Sequence, residues 1–221
     1  MNARIEEKHV STKANSYHHM IQKILATSNI KKKHKKRTVT SIYYDTPGLS
    51  LAFGSLRGDP SRIKIRARTY FDTNLTSLDF YNQEYVIEMK LKKGRVGNKI
   101  LNGNLTWEQL FCRDNLKKSG VNDSCLKPIC GITYERDYFT EIGTANRITV
   151  DQKIQIFKIS QQQKRLINVE SHNNISVLEL KRPVSSYMDG STYNRSLGFS
   201  KNRFSKYLYA LSRLGYIEYI F

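Results

Sequence analysis

The chain has 221 residues, of which 39% are hydrophobic, and its formal net charge at pH 7 is +18. This length and hydrophobic content are enough for a sizeable core, so we expect residues 1–221 to form a single domain. No apolar run reaches the length of a signal peptide or of a membrane span, and we therefore expect a soluble, cytoplasmic protein.

The positive charge is spread through the chain. The run Lys31–Arg37 carries six formal charges, and its removal leaves 18 − 6 = +12. An excess of this size indicates an anionic partner such as nucleic acid, an acidic membrane or a phosphate-rich molecule. The three cysteines, Cys112, Cys125 and Cys130, lack metal-ligand spacing, which argues against a zinc site and for a reducing compartment.

The start of the chain predicts a strand followed by a helix. Ala3–Val10 places Glu6 and Lys8 on one face, as a strand would. Ser11–Thr27 has capping candidates followed by apolar residues at helical spacing. We interpret the basic run Lys31–Arg37 as a loop, either a solvated turn or a basic patch for polyanions or nucleic acid.

The most regular pattern of the chain lies between Arg62 and Tyr70. Apolar or small residues at positions 63, 65 and 67 alternate with cations, which predicts a strand with one strongly basic face. The cations of that face are Arg62, Lys64, Arg66 and Arg68. Like charges on one face repel, so this face must be in water or against something strongly anionic.

The remaining strands have weaker patterns. Residues 95–130 are the least clear, with a short helix predicted after Thr106. The other predicted strands are Val39–Tyr44, Glu84–Lys93, Ile132–Thr140, Arg147–Gln152, Ile154–Ser160, Lys164–Glu170 and Ser176–Lys181, and a C-terminal helix is predicted at Ser200–Tyr216. This order predicts an α+β domain dominated by antiparallel strands.

The charged positions of the strands have two explanations. An antiparallel sheet with one solvated face produces such alternation by itself. However, these positions are rich in Arg and Lys, and the pattern Glu-x-Lys occurs three times, at Glu6, Glu88 and Glu179. A closed antiparallel β-barrel of about eight strands, flanked by helices, would point these faces into a tunnel. Such a lumen would bind phosphate through Arg and Lys, and Glu with phosphate oxygens could hold a divalent cation.

An ordered set of short motifs carries a family resemblance. The motifs are Lys8, Ser41-Ile-Tyr-Tyr-Asp-Thr46, Lys64-x-Arg66-x-Arg68-x-Tyr70, Glu88-x-Lys90, Tyr134-x-Arg136, Arg147-Ile-Thr-x-Asp151, Glu179-x-Lys181 and Phe204-Ser-Lys-Tyr207. In this order they resemble the catalytic domain of the vacuolar transporter chaperone (VTC) polyphosphate polymerases, which belong to the triphosphate tunnel metalloenzyme superfamily.

The resemblance implies an activity and a set of site residues. Polymerases of this family transfer the γ-phosphoryl group of ATP to a growing polyphosphate chain in a tunnel, with a divalent metal, here Mn²⁺ or Mg²⁺. The implied substrate-binding residues are Lys8, Lys64, Arg66, Arg68, Lys90, Arg136, Arg147, Lys181, Arg203 and Lys206. Arg66, Arg68 and Lys206 are the candidate catalytic residues, and Glu179, with Glu88 and Glu6 as weaker candidates, is the metal ligand.

Other functions remain open at this point. The first strand has one clear Glu before Lys8, whereas hydrolytic relatives typically carry Glu-x-Glu-x-Lys, which disfavours a tripolyphosphatase or nucleoside triphosphatase without excluding it. A non-catalytic polyphosphate or nucleotide binder would need the same basic lumen. A stable nucleic-acid complex is not expected, because aromatic residues do not interleave with the basic strand. A membrane partner is compatible with the polymerase interpretation.

Overall fold

The strands form one large antiparallel sheet in the computed structural model, which describes residues 4–72, 80–94, 96–118, 125–172, 174–184 and 201–221. The strands are β1 (Arg4–Ser11), β2 (Ile30–Asp45), β3 (Ser61–Asp72), β4 (Tyr85–Lys93), β5 (Val96–Leu105), β6 (Lys127–Glu141), β7 (Arg147–Ser160), β8 (Arg165–His172) and β9 (Ser176–Pro183). The helices are α1 (Ser16–Leu25), α2 (Ser50–Arg57), a 3₁₀ turn (Glu108–Phe111), α3 (Arg113–Lys118) and α4 (Lys206–Arg213). The predicted α+β class is confirmed.

The order of the strands is β6-β2-β3-β4-β5-β1-β9-β7-β8, and β6 also pairs with β7. Among the described residues, the register between β1 and β5 is limited to one pair, Arg4 with Gly97. The two strands are therefore not paired along most of their described length. The predicted closed barrel is not confirmed, and the observed architecture is a nine-stranded antiparallel sheet with helices.

Apolar residues alternate with the charged ones and pack on the opposite face of the sheet. Met20 and Ile24 of α1 form a buried cluster with Ile148 of β7 and Leu178 of β9. A second cluster contains Ile65 and Ala67 of β3, Ile87 of β4 and Trp107. Burial of one such aliphatic side chain contributes about 1.5–3 kcal/mol, so the apolar faces fix which way every strand turns its charged residues.

The basic run Lys31–Arg37 lies within β2, so the prediction of a loop is wrong. Its residues pair with β6, and Asp137 on β6 forms ion pairs with Lys32 at 3.2 Å and with Lys36 at 3.6 Å. The run is an extended strand because β6 supplies both the hydrogen-bond partners and part of the counter-charge. Neither contribution can be seen in the local sequence.

Two further strand predictions need correction. The strand β5 was not predicted, because the Gly and Asn residues of Val96–Leu105 hide its alternation, although it pairs with β4 throughout. The two predicted strands at 147–152 and 154–160 are one strand, β7. Lys153 adopts a positive φ of 51° at the point where the register with β6 shifts, which produces the break in the pattern. The predicted hairpin of β7 with β8 is confirmed.

The C-terminal helix is shorter than predicted. It begins at Lys206 because Ser205 caps it, with the Ser205 hydroxyl accepting a hydrogen bond from the Leu208 backbone N–H. Arg203 therefore precedes the helix, and Ser200 lies outside the described residues. Within the described part of the chain, none of the helices has the length and apolar character needed to cross a membrane.

Candidate functional site

The centre of the charged face is built around Glu88 of β4. Arg66, its cross-strand partner on β3, donates from Nε and Nη2 to Glu88 Oε2, each at 2.7 Å. Arg68 approaches the same oxygen at 3.8 Å, and Lys99 of β5 contacts Oε1 at 2.6 Å. Glu88 is only 3% exposed, so one buried carboxylate orients three cations.

Tyrosine and serine hydroxyls fix the other ends of these arginines. Arg66 donates from Nη1 to the Tyr43 hydroxyl at 3.2 Å. Arg68 donates from Nε to Ser41 Oγ at 3.0 Å and from Nη2 to the Tyr134 hydroxyl at 3.1 Å. The guanidinium groups are thus held by strands β2, β4 and β6 as well as by their own strand.

Asp151 of β7 is the second buried carboxylate of the face. It is fully buried and accepts two hydrogen bonds from Arg136 of β6, at 2.5 and 2.8 Å. Lys206, the first residue of α4, contacts the Asp151 carboxylate at 2.5 Å and lies 4.7 Å from the ring centroid of Tyr134. Lys206 is 8% exposed, so it is part of this cluster and not an ordinary surface residue of an amphipathic helix.

The N-terminus of α4 reaches the same face. Lys64 of β3 donates to Ser205 Oγ at 2.7 Å, and Lys8 of β1 donates to the Phe204 carbonyl at 3.0 Å. The position of the helix is fixed by Tyr207, whose hydroxyl donates to buried Asp45 at 2.7 Å. Asp45 also accepts hydrogen bonds from backbone N–H groups at the start of α2. This carboxylate at the end of β2 therefore connects α2 and α4.

Strands β1 and β9 contribute a patch of alternating charge. In the register Glu6 is opposite Lys181 and Lys8 is opposite Glu179. Lys90 of β4 contacts Glu6 at 2.5 Å, and Lys181 contacts Glu179 at 3.5 Å. Arg136 lies 3.8 Å from Glu179, which connects this patch to the Asp151 cluster.

The electrostatic balance keeps the carboxylates ionised. Burial alone would raise the pKa of Glu88, but Arg66, Arg68 and Lys99 lower it to about 2. Burial likewise opposes ionisation of Asp151 and Glu179, yet Arg136 and Lys206 lower the pKa of Asp151, and Lys181, Lys8 and Arg136 hold the pKa of Glu179 well below its usual range. Negative charge is therefore available on this face at every physiological pH.

Lys64 is in the opposite situation. Burial and the neighbouring cations Lys8, Lys90 and Arg66 hold its pKa well below the usual value of a lysine. Its hydrogen bond to Ser205 is with a neutral hydroxyl, which compensates no charge. An anion bound beside Lys64 would offset the repulsion between Lys64 and these cations.

The predicted metal ligands form only a partial donor set. The described residues contain no group of three or more His, Cys, Asp or Glu side chains placed to share a metal ion. Glu6 and Glu179 lie diagonally on the same face of neighbouring strands. One or two carboxylates together with phosphate oxygens satisfy Mg²⁺ or Mn²⁺, so this pair fits a divalent ion that is also bound to a phosphate ligand. In Glu88, by contrast, both carboxylate oxygens directly contact cations, Oε2 with Arg66 and Oε1 with Lys99.

Most of the predicted substrate-binding residues contact one another or α4, but two do not. Those on the charged face with contacts to one another or to α4 are Lys8, Lys64, Arg66, Arg68, Lys90, Arg136, Lys181 and Lys206. Arg147, at the beginning of β7, is opposite Lys181 on the charged face, but it is exposed and forms no ion pair among the described residues. Arg203 is exposed before α4, and its carbonyl accepts a hydrogen bond from the Tyr219 hydroxyl.

Several residues of the site were not among the predicted ones. Asp151, Tyr43, Tyr134 and Ser205 each bind a cation of the cluster. A signal existed for all four, since each lies in one of the motifs that carry the family resemblance. Ser205 lies in such a motif, Phe204-Ser-Lys-Tyr207, but its contact with Lys64 depends on the placement of α4 and could not be predicted.

Comparison with known proteins identifies the family of the chain. The model of the VTC domain matches residues 3–214. The chain therefore belongs to the VTC domain family, and the resemblance predicted from the sequence is confirmed. No curated protein matches the chain by sequence.

Solved structures share the fold at low identity. A candidate adenylyl cyclase from Hippeastrum, described with a dominant triphosphatase activity, has a TM-score of 0.55 and 14% identity, covering 99% of this chain and 98% of that one. Candidate adenylate cyclases from Vibrio parahaemolyticus (TM-score 0.53, 13% identity) and Bacillus halodurans (0.54, 11%) each cover 96% of this chain and 98% of their own. Similarity at these identities shows the fold alone.

Proposed function

We propose that the chain is a metal-dependent polyphosphate polymerase, which transfers the γ-phosphoryl group of ATP to the end of a polyphosphate chain. The observation that carries this proposal is the convergence of Arg66, Arg68, Arg136 and Lys206 on one buried face in a member of the VTC domain family. Guanidinium groups held by fixed partners suit bidentate contacts with phosphate oxygens.

The proposed reaction needs no nucleophile from the protein and no covalent intermediate with it. A terminal oxygen of the polyphosphate chain attacks the γ-phosphorus of ATP, the bond from that phosphorus to the β–γ bridging oxygen breaks, and ADP leaves with the bridging oxygen. Catalysis of phosphoryl transfer depends mainly on positioning and on stabilisation of the charge on the transferred group. In this proposal Arg66, Arg68 and Lys206 contact that group, because hydroxyls and carboxylates already hold them in place.

The lysines and carboxylates have separate proposed roles. The remaining phosphates would be bound by Lys8, Lys64, Lys90 and Lys181. Arg136 would bind them from strand β6. Glu179 and Glu6 would hold Mn²⁺ or Mg²⁺ together with phosphate oxygens, and such an ion would neutralise phosphate charge. Glu88 is better suited to positioning Arg66 and Arg68 than to binding a metal, since Arg66 and Lys99 already contact its two carboxylate oxygens.

A triphosphatase is the second candidate function. It is favoured by the similarity to the Hippeastrum protein, which is described with a dominant triphosphatase activity. In that case the same cations would bind a triphosphate, and water would replace the polyphosphate end as the attacking group. The first strand, with Glu6 as the one clear acidic residue before Lys8 on the charged face, favours the polymerase instead.

Incubation of the purified protein with ATP and Mn²⁺ or Mg²⁺ tests the two candidates. Polyphosphate visible by gel electrophoresis is expected for the polymerase, whereas free phosphate without polymer supports the triphosphatase. Arg66→Ala should lower the rate by roughly 10²–10³-fold, the usual loss for one oriented donor to a developing charge. Lys118→Ala, an exposed lysine of α3, is the matched control and should keep the parental rate. Tight binding of ATP with neither product would overturn both enzymatic candidates.

A further inference from the structure

The segment from α1 to the first half of β2 is basic throughout. Between Glu7 and Asp45 the sequence has no acidic residue, whereas residues 13–37 contain eight lysines and arginines. These residues form α1, the turn that follows it and the first half of β2. The proposed reaction leaves this segment without a role.

The first half of β2 runs back along α1. At the end of the helix, Ile24 of α1 and Ile30 of β2 belong to the same buried cluster, on the side of the sheet opposite the charged face. At its beginning, Lys36 Nζ of β2 lies 4.8 Å from the ring centroid of Tyr17. The helix and the strand therefore share one continuous surface.

Few carboxylates balance the charge of this surface. Asp137 of β6 is shared by two lysines, Lys32 at 3.2 Å and Lys36 at 3.6 Å. Lys33 and Lys35 are exposed, and they form no ion pair within the described part of the chain. Their charge is left for a partner outside the protein.

Two exposed aliphatic side chains lie at one end of the surface. Leu25, in the last turn of α1, is 57% exposed, and Ile142, just after β6, is 55% exposed. They lie at the same turn, because the Ile142 N–H donates to the carbonyl of Asn29 at 2.7 Å and Asn29 follows Leu25 by four residues. An extended strand advances about 3.3 Å per residue, so Lys33 lies no more than about 10 Å from Ile30, the first residue of β2. Single exposed aliphatic residues are ordinary, but here a pair of them adjoins lysines without a counter-charge.

The combination of cations and aliphatic side chains distinguishes between possible anionic partners. Inorganic polyphosphate and the backbone of nucleic acid would engage the lysines but offer no apolar surface to Leu25 and Ile142. An anionic bilayer offers both, since negative headgroups attract lysines and the acyl boundary accepts aliphatic side chains. Long lysine side chains also keep their charge among the headgroups while their stems cover apolar surface.

We propose that α1 and the first half of β2 form a docking surface for an anionic lipid bilayer, with Lys33 and Lys35 among the headgroups and Leu25 and Ile142 at the acyl boundary. This is peripheral binding and requires no membrane-spanning segment. It does not involve the charged face, because α1 packs on the opposite side of the sheet. The inference is therefore independent of the proposed reaction.

Co-sedimentation with phosphatidylcholine vesicles, with and without phosphatidylserine, tests the docking surface at physiological ionic strength. The parent should bind vesicles that contain phosphatidylserine at least about tenfold more tightly than those without it. Lys33→Gln/Lys35→Gln should lower that affinity at least about tenfold, since each lysine near an anionic surface contributes to binding. Leu25→Ser/Ile142→Ser should lower it by about fivefold or more, although the net charge is unchanged.

Matched controls separate this surface from the overall positive charge of the protein. Lys117→Gln/Lys118→Gln removes two exposed lysines of α3, and Leu101→Ser/Ile167→Ser removes exposed aliphatic side chains of β5 and β8. Each control should bind within about twofold of the parent, because charges more distant than a Debye length are screened. Far-ultraviolet circular dichroism establishes that each variant is folded.

Four results would overturn the docking surface. The first is that the parent does not bind vesicles containing phosphatidylserine, and the second is equal weakening in the test and control variants, which would show that binding follows net charge alone. The third is unchanged affinity of Leu25→Ser/Ile142→Ser, since a bilayer must contact these side chains. The fourth is loss of single-stranded RNA binding in Lys33→Gln/Lys35→Gln with retained vesicle binding, which would assign the lysines to nucleic acid. The proposed function fails separately, when the parent makes no polymer from ATP.

Discussion

Two arginines of the charged face, Arg66 and Arg136, are held differently from two of its lysines, Lys8 and Lys64. Arg66 and Arg136 each donate to a buried carboxylate, Glu88 or Asp151, at 2.8 Å or less. Lys64, by contrast, donates to a neutral hydroxyl and has other cations as neighbours. The arginine region, Arg66 and Arg136, is therefore neutralised by the protein itself. The lysine region, Lys8 and Lys64, contacts only a carbonyl and a hydroxyl and forms no ion pair within the described part of the chain.

This difference separates two tasks of an anion site. Arginines with fixed carboxylate and hydroxyl partners keep their geometry before a ligand arrives, which favours precise contacts. Lysines that repel one another store unfavourable electrostatic energy, which an incoming polyanion releases. We infer that the arginine region orients the phosphates and that the lysine region supplies much of the affinity. The following predictions test this division.

The largest effect is expected from Asp151→Asn. The change leaves Arg136 and Lys206 buried without their shared counter-charge, which should lower the free energy of unfolding by roughly 3–5 kcal/mol. Urea denaturation measures this loss. Asp59→Asn breaks the exposed pair with Arg57 and should cost about 0–1 kcal/mol. Similar losses for the two variants would contradict a self-neutralised arginine region.

A smaller change in the free energy of unfolding is expected when a ligand binds to the lysine region. Tripolyphosphate at a hundred times its Kd should raise the free energy of unfolding of the parent by about 2.7 kcal/mol. At the same concentration Lys64→Met should lose about 1.4 kcal/mol of this gain, equivalent to a tenfold weaker affinity. Thermal denaturation with and without ligand measures both. If Lys64→Met gains as much as the control Lys118→Met, the lysine region does not supply affinity.

Without ligand, Lys64→Met should stabilise the protein at neutral pH by roughly 0.5–2 kcal/mol, the usual range of a favourable substitution. The reason is that the folded-state pKa of Lys64 lies below its unfolded value of about 10.4. Protonated Lys64 destabilises the fold below the folded-state pKa. Between the two pKa values the unfolded chain binds more protons, so the stability of the parent rises with pH through this window.

Urea denaturation over a series of pH values measures this dependence. The advantage of Lys64→Met over the parent should shrink as pH rises towards the unfolded pKa. A constant difference at all pH values would mean that the substitution acts through packing, and the electrostatic explanation of the lysine region would be wrong.

The smallest effect is expected at Arg203, which was predicted to bind substrate with Lys206. The structure places it in an exposed segment before α4. Arg203→Ala should change the free energy of unfolding by no more than about 0.5 kcal/mol, as surface substitutions usually do. Its affinity for tripolyphosphate, measured by calorimetry, should match that of Lys118→Ala. A clear loss of affinity would extend the lysine region to this segment.

Much of the fold and of the site was predictable because alternation is a local property. The period-2 pattern of Arg62–Tyr70 specified a strand and the face that carries Arg66 and Arg68, and the motif order specified the family. The same pattern did not reveal β5, whose Gly and Asn residues weaken the hydrophobic signal. It also misassigned Lys31–Arg37, where charge outweighed every local strand signal.

By itself, the sequence determined which side chains share a face, since that depends only on neighbours along the chain. The tertiary structure decided which faces meet. It paired Glu88 with Arg66, brought Lys206 to Asp151 and separated Arg203 from both, because these contacts depend on register and on the capping of α4. Cations that look equivalent in the sequence therefore differ in the fold: the distance to a buried carboxylate, which is not a local property, decides whether each is neutralised.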